Sequence, residues 1–249
     1  MCKFCSIFAL LFFTLLGQAV SQPLQIVSED LPPYNYSKSG IASGVSTEVV
    51  TAVMEAAGLS APIRFQPWAR SYHLALSRPN TLIFSIARTP ERENQFIWIG
   101  QIAPYGSSLF KRSSDRSVQV DTLDDARAYQ IGVYLSDVKH QYLLSEGFTR
   151  LEPVDHDLLN IRKLAKGRID LVASDDAFFS YIIRQEGFEP ADFERVLKLP
   201  GLGGQLYMAM SLGSDPDVVQ ALTQGLDALK ASGRHREILM SHGLNAEDE

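Results

Sequence analysis

Residues 81–100, TLIFSIARTPERENQFIWIG, carry the residue types best placed to do chemistry. An apolar run, Leu82-Ile83-Phe84, leads into Ser85. A turn with Arg88, Pro90 and Arg92 follows, and a second apolar run, Phe96-Ile97-Trp98-Ile99, closes the stretch. A buried strand that ends by delivering a hydroxyl and two guanidinium groups onto a helical turn suits a small anion. Guanidinium forks and free N–H groups at a helical turn meet the lone pairs of an oxyanion through charge-assisted hydrogen bonds. The whole chain carries a net charge of −6. An anion site inside such a protein needs local positive charge, and these arginines supply it.

The same charge argues against a nucleic-acid surface. Several catalytic classes lack their signatures: the chain has no H-E-x-x-H, no G-x-S-x-G, no P-loop and no G-x-G-x-x-G after a strand. His235 and His242 are too far apart for a metal pair on one helical turn. Neither a metal nor a cofactor is expected. The 249 residues, 45% hydrophobic and 21% charged, provide ample core for one large or two small domains.

The elements that would position the arginines alternate between strand and helix. Leu24 to Val27 reads as a strand. The prolines of Leu31-Pro32-Pro33-Tyr34 then force an extended turn, and Gly40 and Gly44 bracket a loop. Val45, Val49, Val50, Val53 and Met54 mark a helix face that ends at Gly58. A short strand at Ile63 precedes a helix opened by Pro67, with Trp68, Tyr72, Ala75 and Leu76 on one face. Further on, residues 107–112 read as a strand, 122–128 as a short helix and Gln130 to Val133 as a strand. Ser136 is the expected cap of a helix ending at Gly147. Asp155 is the expected cap of one with Leu158, Leu159, Ile161 and Ala165 inward, ending at Gly167. Asp175 is expected to cap a helix burying Phe178, Phe179, Ile182 and Ile183 and ending at Gly187. Strands are expected at 195–199 and 206–210, with the glycine-rich 201–204 as a flexible connection. Ser214 is the expected cap of a final long helix. Helix after helix stopping at glycine before the next strand argues for α/β architecture with mainly parallel sheets.

The first residues read as an export leader: Lys3, an apolar run over 7–16, and Ala19-Val20-Ser21 as a small-x-small cleavage site. The mature chain would begin near Gln22. The chain's 2 cysteines, Cys2 and Cys5, would leave with the leader, so neither disulfide nor thiolate chemistry is expected. An exported chain without disulfides fits a bacterial periplasm. The tail at 245–249 reads as acidic and frayed.

Leu31-Pro32-Pro33-Tyr34, Gly44 before the first helix, the 85–92 stretch followed by Phe96, and Gly167-Arg168-Ile169-Asp170 leading to Asp175 carry a resemblance. In order and spacing the chain is similar to the bacterial periplasmic solute-binding proteins of family 3, the polar amino-acid receptors of ATP-driven importers. The resemblance implies the type II periplasmic binding protein fold, two α/β lobes joined by two hinge crossings and closing on a ligand between them. Lobe 1 would comprise 22–110 and 207–249, and lobe 2 would comprise 111–206, with crossings near 111–114 and 203–206. It implies that Arg92 grips a ligand carboxylate and that Ser85 donates to the same group. Asp175 would receive the ligand's ammonium. Backbone N–H groups of Ser136 and Asp137 would face the carboxylate, Trp68 would form a pocket wall and Leu31 would cover the ligand. It further implies a monomer whose partner is the membrane permease of an importer or a sensor kinase.

The chain departs from that pattern in places. Ala87 stands where a hydroxyl is usual, and Leu135-Ser136-Asp137 replaces a glycine-threonine loop, bringing a carboxylate with it. Arg70 and Arg88 are cations beyond the usual set, counted here as candidate ligand contacts. Each candidate also has a structural reading. Arg92 could pair with Glu91 or Asp115 at the surface, Asp175 could act only as a cap, and Trp68, Tyr34 and Tyr36 could be plain core. The leading expectation is capture of a small carboxylate-bearing solute, an amino acid or relative. Two rivals stand beside it: a periplasmic lyase or dehydratase on the same fold, using Glu29, Asp30 or His140 as acid or base, and a stand-alone ligand sensor.

Overall fold

A computed structural model describes residues 22–244; the expected export leader and the expected frayed tail lie outside the described residues. The chain opens with β1 (Gln25–Ser28), a hairpin of β2 (Tyr36–Lys38) and β3 (Ile41–Ser43), α1 (Val45–Ala56), β4 (Ile63–Phe65), α2 (Trp68–Ser77) and β5 (Thr81–Ala87). A long strand, β6 (Phe96–Arg112), leads to β7 (Ile131–Tyr134), α3 (Val138–Ser145), β8 (Leu151–Val154), α4 (Asp157–Ala165), β9 (Leu171–Asp175) and α5 (Asp176–Gln185). A second long strand, β10 (Phe193–Ser211), returns to the first lobe, which α6 (Pro216–Ala231) and α7 (Arg234–Ser241) complete.

Among the described residues the main sheet runs β4-β1-β5-β10-β6-β9-β7-β8. The outer strands form two parallel groups, β4-β1-β5 and β9-β7-β8. The antiparallel pair β6 and β10 runs between them and belongs to both lobes. In lobe 1, α1 and α6 pack Val49, Val53, Leu222 and Leu226 on one face of the sheet. On the other face α2 packs Trp68 and Ala75 against Ile83. In lobe 2, Ile161 and Phe179 cover one face, while Leu143 and Val133 share the other. Each lobe is thus a helix-sheet-helix layer structure, as the alternating pattern of elements requires.

Pairing moves the first crossing. Ser107 to Phe110 pair with β9, and Leu109 packs with Ile131 and Leu171 of lobe 2. Lobe 1 therefore ends well before residue 110, and the chain crosses at Pro104 to Gly106 rather than at 111–114. Those residues pair directly with Gly203 to Gln205 of the returning strand. The glycine-rich 201–204 is not a separate connection. It lies within β10, where the register slips between Lys198 and Gly203.

Several local expectations also shift. Asp137, not Ser136, caps α3, its carboxylate accepting from the His140 N–H. Asp215, not Ser214, caps α6, because Pro216 occupies the first helical position and sets the helix start one residue later. His156, with no side-chain cap, precedes α4 in place of Asp155. The helix expected at 122–128 is only a 3-10 turn at Asp125–Ala128. Leu76 and Leu159, placed on inward faces, are 44% and 40% exposed. The hairpin of β2 and β3, which turns at Ser39-Gly40, and the short α7 leave no periodic signal in the sequence. Gly44 itself is required: its φ is +106°, and a Cβ there would lie 2.5 Å from the Tyr34 carbonyl oxygen.

Candidate ligand site

Ser85 is fixed by an irregularity in the sheet. Ile86 pairs with Tyr207 and Phe84 with Met208, so Ser85 is the extra residue of a bulge in β5. Its φ of +56° is left-handed, a costly conformation for a non-glycine residue. The bulge turns its hydroxyl away from the sheet, where it is buried and has no hydrogen-bond partner. Ser85→Gly is therefore expected to gain about 1 kcal/mol of stability by relieving the backbone. The same change should lose about tenfold in ligand affinity by removing a donor. Chemical denaturation and calorimetric titration separate the two effects.

Arg92 follows in the turn after β5 and is 1% exposed. Nη1 donates to the Ala87 carbonyl at 3.2 Å, and Nη2 donates to Oε1 of Gln141 in lobe 2 at 3.0 Å. The guanidinium lies 5.0 Å from the Tyr72 ring and 5.7 Å from the Trp68 ring, cation-π distances that hold it flat against the wall. Its Nε has no partner. Burial lowers its pKa, but a guanidinium stays charged in a protein.

Asp175 caps α5, Oδ1 accepting from the N–H groups of Ala177 and Phe178 at 2.9 and 2.8 Å. Oδ2 accepts from the Tyr34 hydroxyl of lobe 1 at 3.4 Å. Burial pushes its pKa up to about 6. Trp68, 2% exposed, bridges the lobes twice. Its backbone N–H donates to the Tyr134 hydroxyl at 2.8 Å and its indole Nε1–H to the Ser136 carbonyl at 3.0 Å.

Arg92, Ser85, Asp175, Trp68 and Leu31 line one cavity of about 40 Å³ between the lobes. Other expected residues do not reach it. Arg88 faces the surface, where it grips both carboxylate oxygens of Glu93 and lies 5.3 Å from the Trp98 ring. Arg70 is exposed on α2 and lines no part of the cavity. Ser136 does not line the cavity, and its carbonyl accepts from the Trp68 indole. Its N–H donates to Nδ1 of His140 and that of Asp137 to the Tyr134 carbonyl, so neither is free for a ligand carboxylate. Of the three acid-base candidates, Glu29 lines the cavity, while Asp30 and His140 do not.

The cavity also holds residues that sequence reasoning missed: Tyr105, Ser107, Tyr134, Lys139 and Asp157. Lys139 had a readable signal. It stands in the first turn of α3, the end of a helix that disfavours a cation, and there it needs a compensating charge. It finds Asp137 at 2.5 Å. Burial opposes its charge, but Asp137 and Asp157 outweigh that and raise its pKa. Four carboxylates (Glu29, Asp137, Asp157, Asp175) thus meet two cations, Arg92 and Lys139. The imbalance is visible in the acids. Burial raises Glu29 well above the carboxylate range and pushes Asp157 to about 6. Arg92 Nε and the hydroxyls of Ser85 and Ser107 remain buried without partners, on walls of the same cavity.

Comparison with known proteins agrees with this architecture. A solved histidine kinase sensor domain with similarity to periplasmic binding proteins superposes with a TM-score of 0.80 at 20% identity, covering 89% of this chain and 96% of that one. ArtJ, the arginine-, lysine-, histidine-binding protein of the thermophilic bacterium Geobacillus stearothermophilus, gives 0.77 at 17% identity, covering 91% and 97%. A structure from work on glutathione import through GshT and the cystine importer of Streptococcus mutans gives 0.78 at 16% identity, covering 90% and 96%. At such identities the likeness establishes the fold. No curated protein matches the chain. The sequence does match a family over residues 25–244, so the chain belongs to the bacterial extracellular solute-binding proteins, family 3.

Proposed function

We propose that this solute-binding protein captures a small carboxylate-bearing ligand, an amino acid or close relative, by closing its two lobes in the periplasm. It would then present the ligand to the permease of an ABC-type importer. The observation that carries this reading is the set of unpartnered buried donors, Arg92 Nε with the Ser85 and Ser107 hydroxyls, in the cavity that also holds Asp175. Buried donors without acceptors are costly, and a carboxylate meets that need. Asp175, in the facing lobe, is an acceptor for an ammonium. A ligand spanning both lobes stabilises only the closed arrangement, so binding and closure are coupled. The bonds from Trp68 to Tyr134 and from Arg92 to Gln141 would form in the same step. ArtJ, a structural neighbour, is named for binding amino acids. A second reading, a ligand-sensing module, is favoured by the sensor-domain neighbour with its TM-score of 0.80. It uses the same site and differs only in the partner.

A thermal-shift screen of the mature chain against α-amino acids, polyamines and small organic acids tests the reading. Binding to the native state raises the melting temperature by mass action. An α-amino acid or derivative is expected to give the largest rise. A polyamine without a carboxylate giving the largest rise would sink the assignment.

A further inference from the structure

The inner cavity, at about 40 Å³, has room for the charged end of a ligand and little more. A second pocket of about 420 Å³ opens beside it, within the range of small-molecule sites. The two share the walls Tyr134 and Asp157. The outer pocket is also built from both lobes. Phe65 comes from β4 of lobe 1, while Leu158, Phe178 and Ile182 come from α4 and α5 of lobe 2. These apolar side chains meet across the cleft, so a group held there would favour lobe closure as well.

Polar residues, Asp30, Ser37, Gln66, His156 and Asp157, share this lining, and two of them, Gln66 and Asp157, ask for opposite partners. Nε2 of Gln66 is a buried donor with no acceptor, and the Gln66 backbone is pinned by its N–H bond to the Ser28 carbonyl at 3.1 Å. Asp157 is an acceptor, 7% exposed, whose side-chain contacts to Asn160 and Ser174 are both stretched to 3.5 Å. One wall thus asks for a carbonyl oxygen and the other for an N–H. An amide offers both, its oxygen and its N–H on either side of one carbon. A purely cationic tail would satisfy Asp157 and leave Gln66 unpaired; a purely apolar tail would satisfy neither.

We infer that the outer pocket is the second half of the ligand site, and that the ligand is an amino acid extended through a side-chain amide, such as a γ-glutamyl dipeptide, whose amide spans Gln66 and Asp157 while its α-carboxylate lies at Arg92 and its α-ammonium at Asp175. This rests on the reading of the inner cavity given above and narrows it. Single amino acids would leave the outer pocket unfilled and its buried donor unpaired.

The test is calorimetric titration of the mature chain with L-alanine, L-glutamate, L-alanyl-L-alanine and γ-L-glutamyl-L-alanine. γ-L-glutamyl-L-alanine is expected to bind tenfold or more tightly than either amino acid, and more tightly than L-alanyl-L-alanine, whose amide nitrogen takes the place of the ammonium at Asp175. Gln66→Leu and Ile182→Trp, which remove the donor and fill the pocket, are each expected to weaken dipeptide binding at least tenfold more than they weaken amino-acid binding. Should Ile182→Trp fail to fold, Gln66→Leu carries the comparison. Amino acids binding as tightly as the dipeptides, or variants that weaken both ligand classes equally, would overturn the inference and leave the carboxylate site standing. If none of the four probes binds the wild-type chain, the inner-cavity reading falls and this inference falls with it.

Discussion

Arg92→Ala is expected to weaken binding of the cognate ligand by about 100-fold or more, roughly 2.7 kcal/mol. The size follows from burial. At 1% exposure the guanidinium has almost no access to solvent, so a ligand carboxylate facing the truncated side chain would be left desolvated and unpaired. The same change takes a donor from the Ala87 carbonyl and from Gln141 of the opposite lobe. Closure therefore loses an interlobe bond as well as a ligand contact. Arg92→Lys is expected to recover only part of the loss. An ammonium carries the charge but cannot serve Ala87, Gln141 and a ligand in one plane, nor lie flat against Tyr72. Titration calorimetry on variants with a verified fold measures both. Wild-type affinity in a folded Arg92→Ala protein would show that the anion binds elsewhere.

The second large effect concerns Asp175. Its carboxylate must be ionised to hold an ammonium, and burial pushes its pKa up to about 6. Affinity for an amine-bearing ligand is thus expected to hold near pH 7.5 and to fall as pH drops through 6, approaching tenfold per pH unit once the proton is taken up. The stability effect has the opposite sense. A carboxyl whose folded-state pKa lies above its unfolded value of 3.8 favours the native state while protonated. That contribution is present below about pH 4 and is lost as pH rises through 6. Asp175→Asn keeps a good capping side chain for α5 but cannot ionise. At pH 7 it is expected to melt no lower than wild type, yet to bind an amine-bearing ligand about 30-fold or more weakly, with the pH dependence flattened. Asp175→Ala loses the cap too, and about 1 kcal/mol of stability with it. An affinity that stays level from pH 5 to 7.5 in the wild type would count against Asp175 as the ammonium partner. Asp157 and Glu29, in the same cavity, also hold their protons unusually high. The curve should therefore be broader than that of a single acid.

How legible the site was depended on where each residue's signal came from. Ser85, Arg92 and Asp175 sit at element ends, where strand-to-turn and cap chemistry leave local marks, and the structure brings all three to one cavity. Arg88 and Arg92 looked alike in sequence. What separates them is a neighbour five residues from Arg88: Glu93 holds it at the surface, whereas Arg92 turns under Tyr72 and Trp68. Asp157 and Ser107 carry no comparable local mark, because their place in the cavity is decided by how two lobes meet across a long chain separation; the mark of Lys139, a cation in the first turn of α3, points to a counter-charge and not to the cavity. In the fold, apolar periodicity located most strands and helices. It failed for the hairpin, whose Ile41 is 69% exposed, and for α7, whose surface is mostly polar. The first crossing was placed too late because Pro104 and Gly106, residue types that usually signal a loop, here lie inside paired strands.

The sheet order has a consequence for how the protein comes into being. Strands β7, β8 and β9 arise from one uninterrupted stretch, so the middle of the chain can assemble its parallel group as soon as it is synthesised. The first lobe cannot do the same. Between β5 and β6 lies the last part of β10, which pairs with both through residues 206–211. Until those residues emerge, the N-terminal half holds two unpaired strand edges and an open apolar layer. A nascent chain built on this plan stays incompletely folded until its final quarter is made. The return of β10, not the making of the N-terminal strands, is then the step that completes the first lobe.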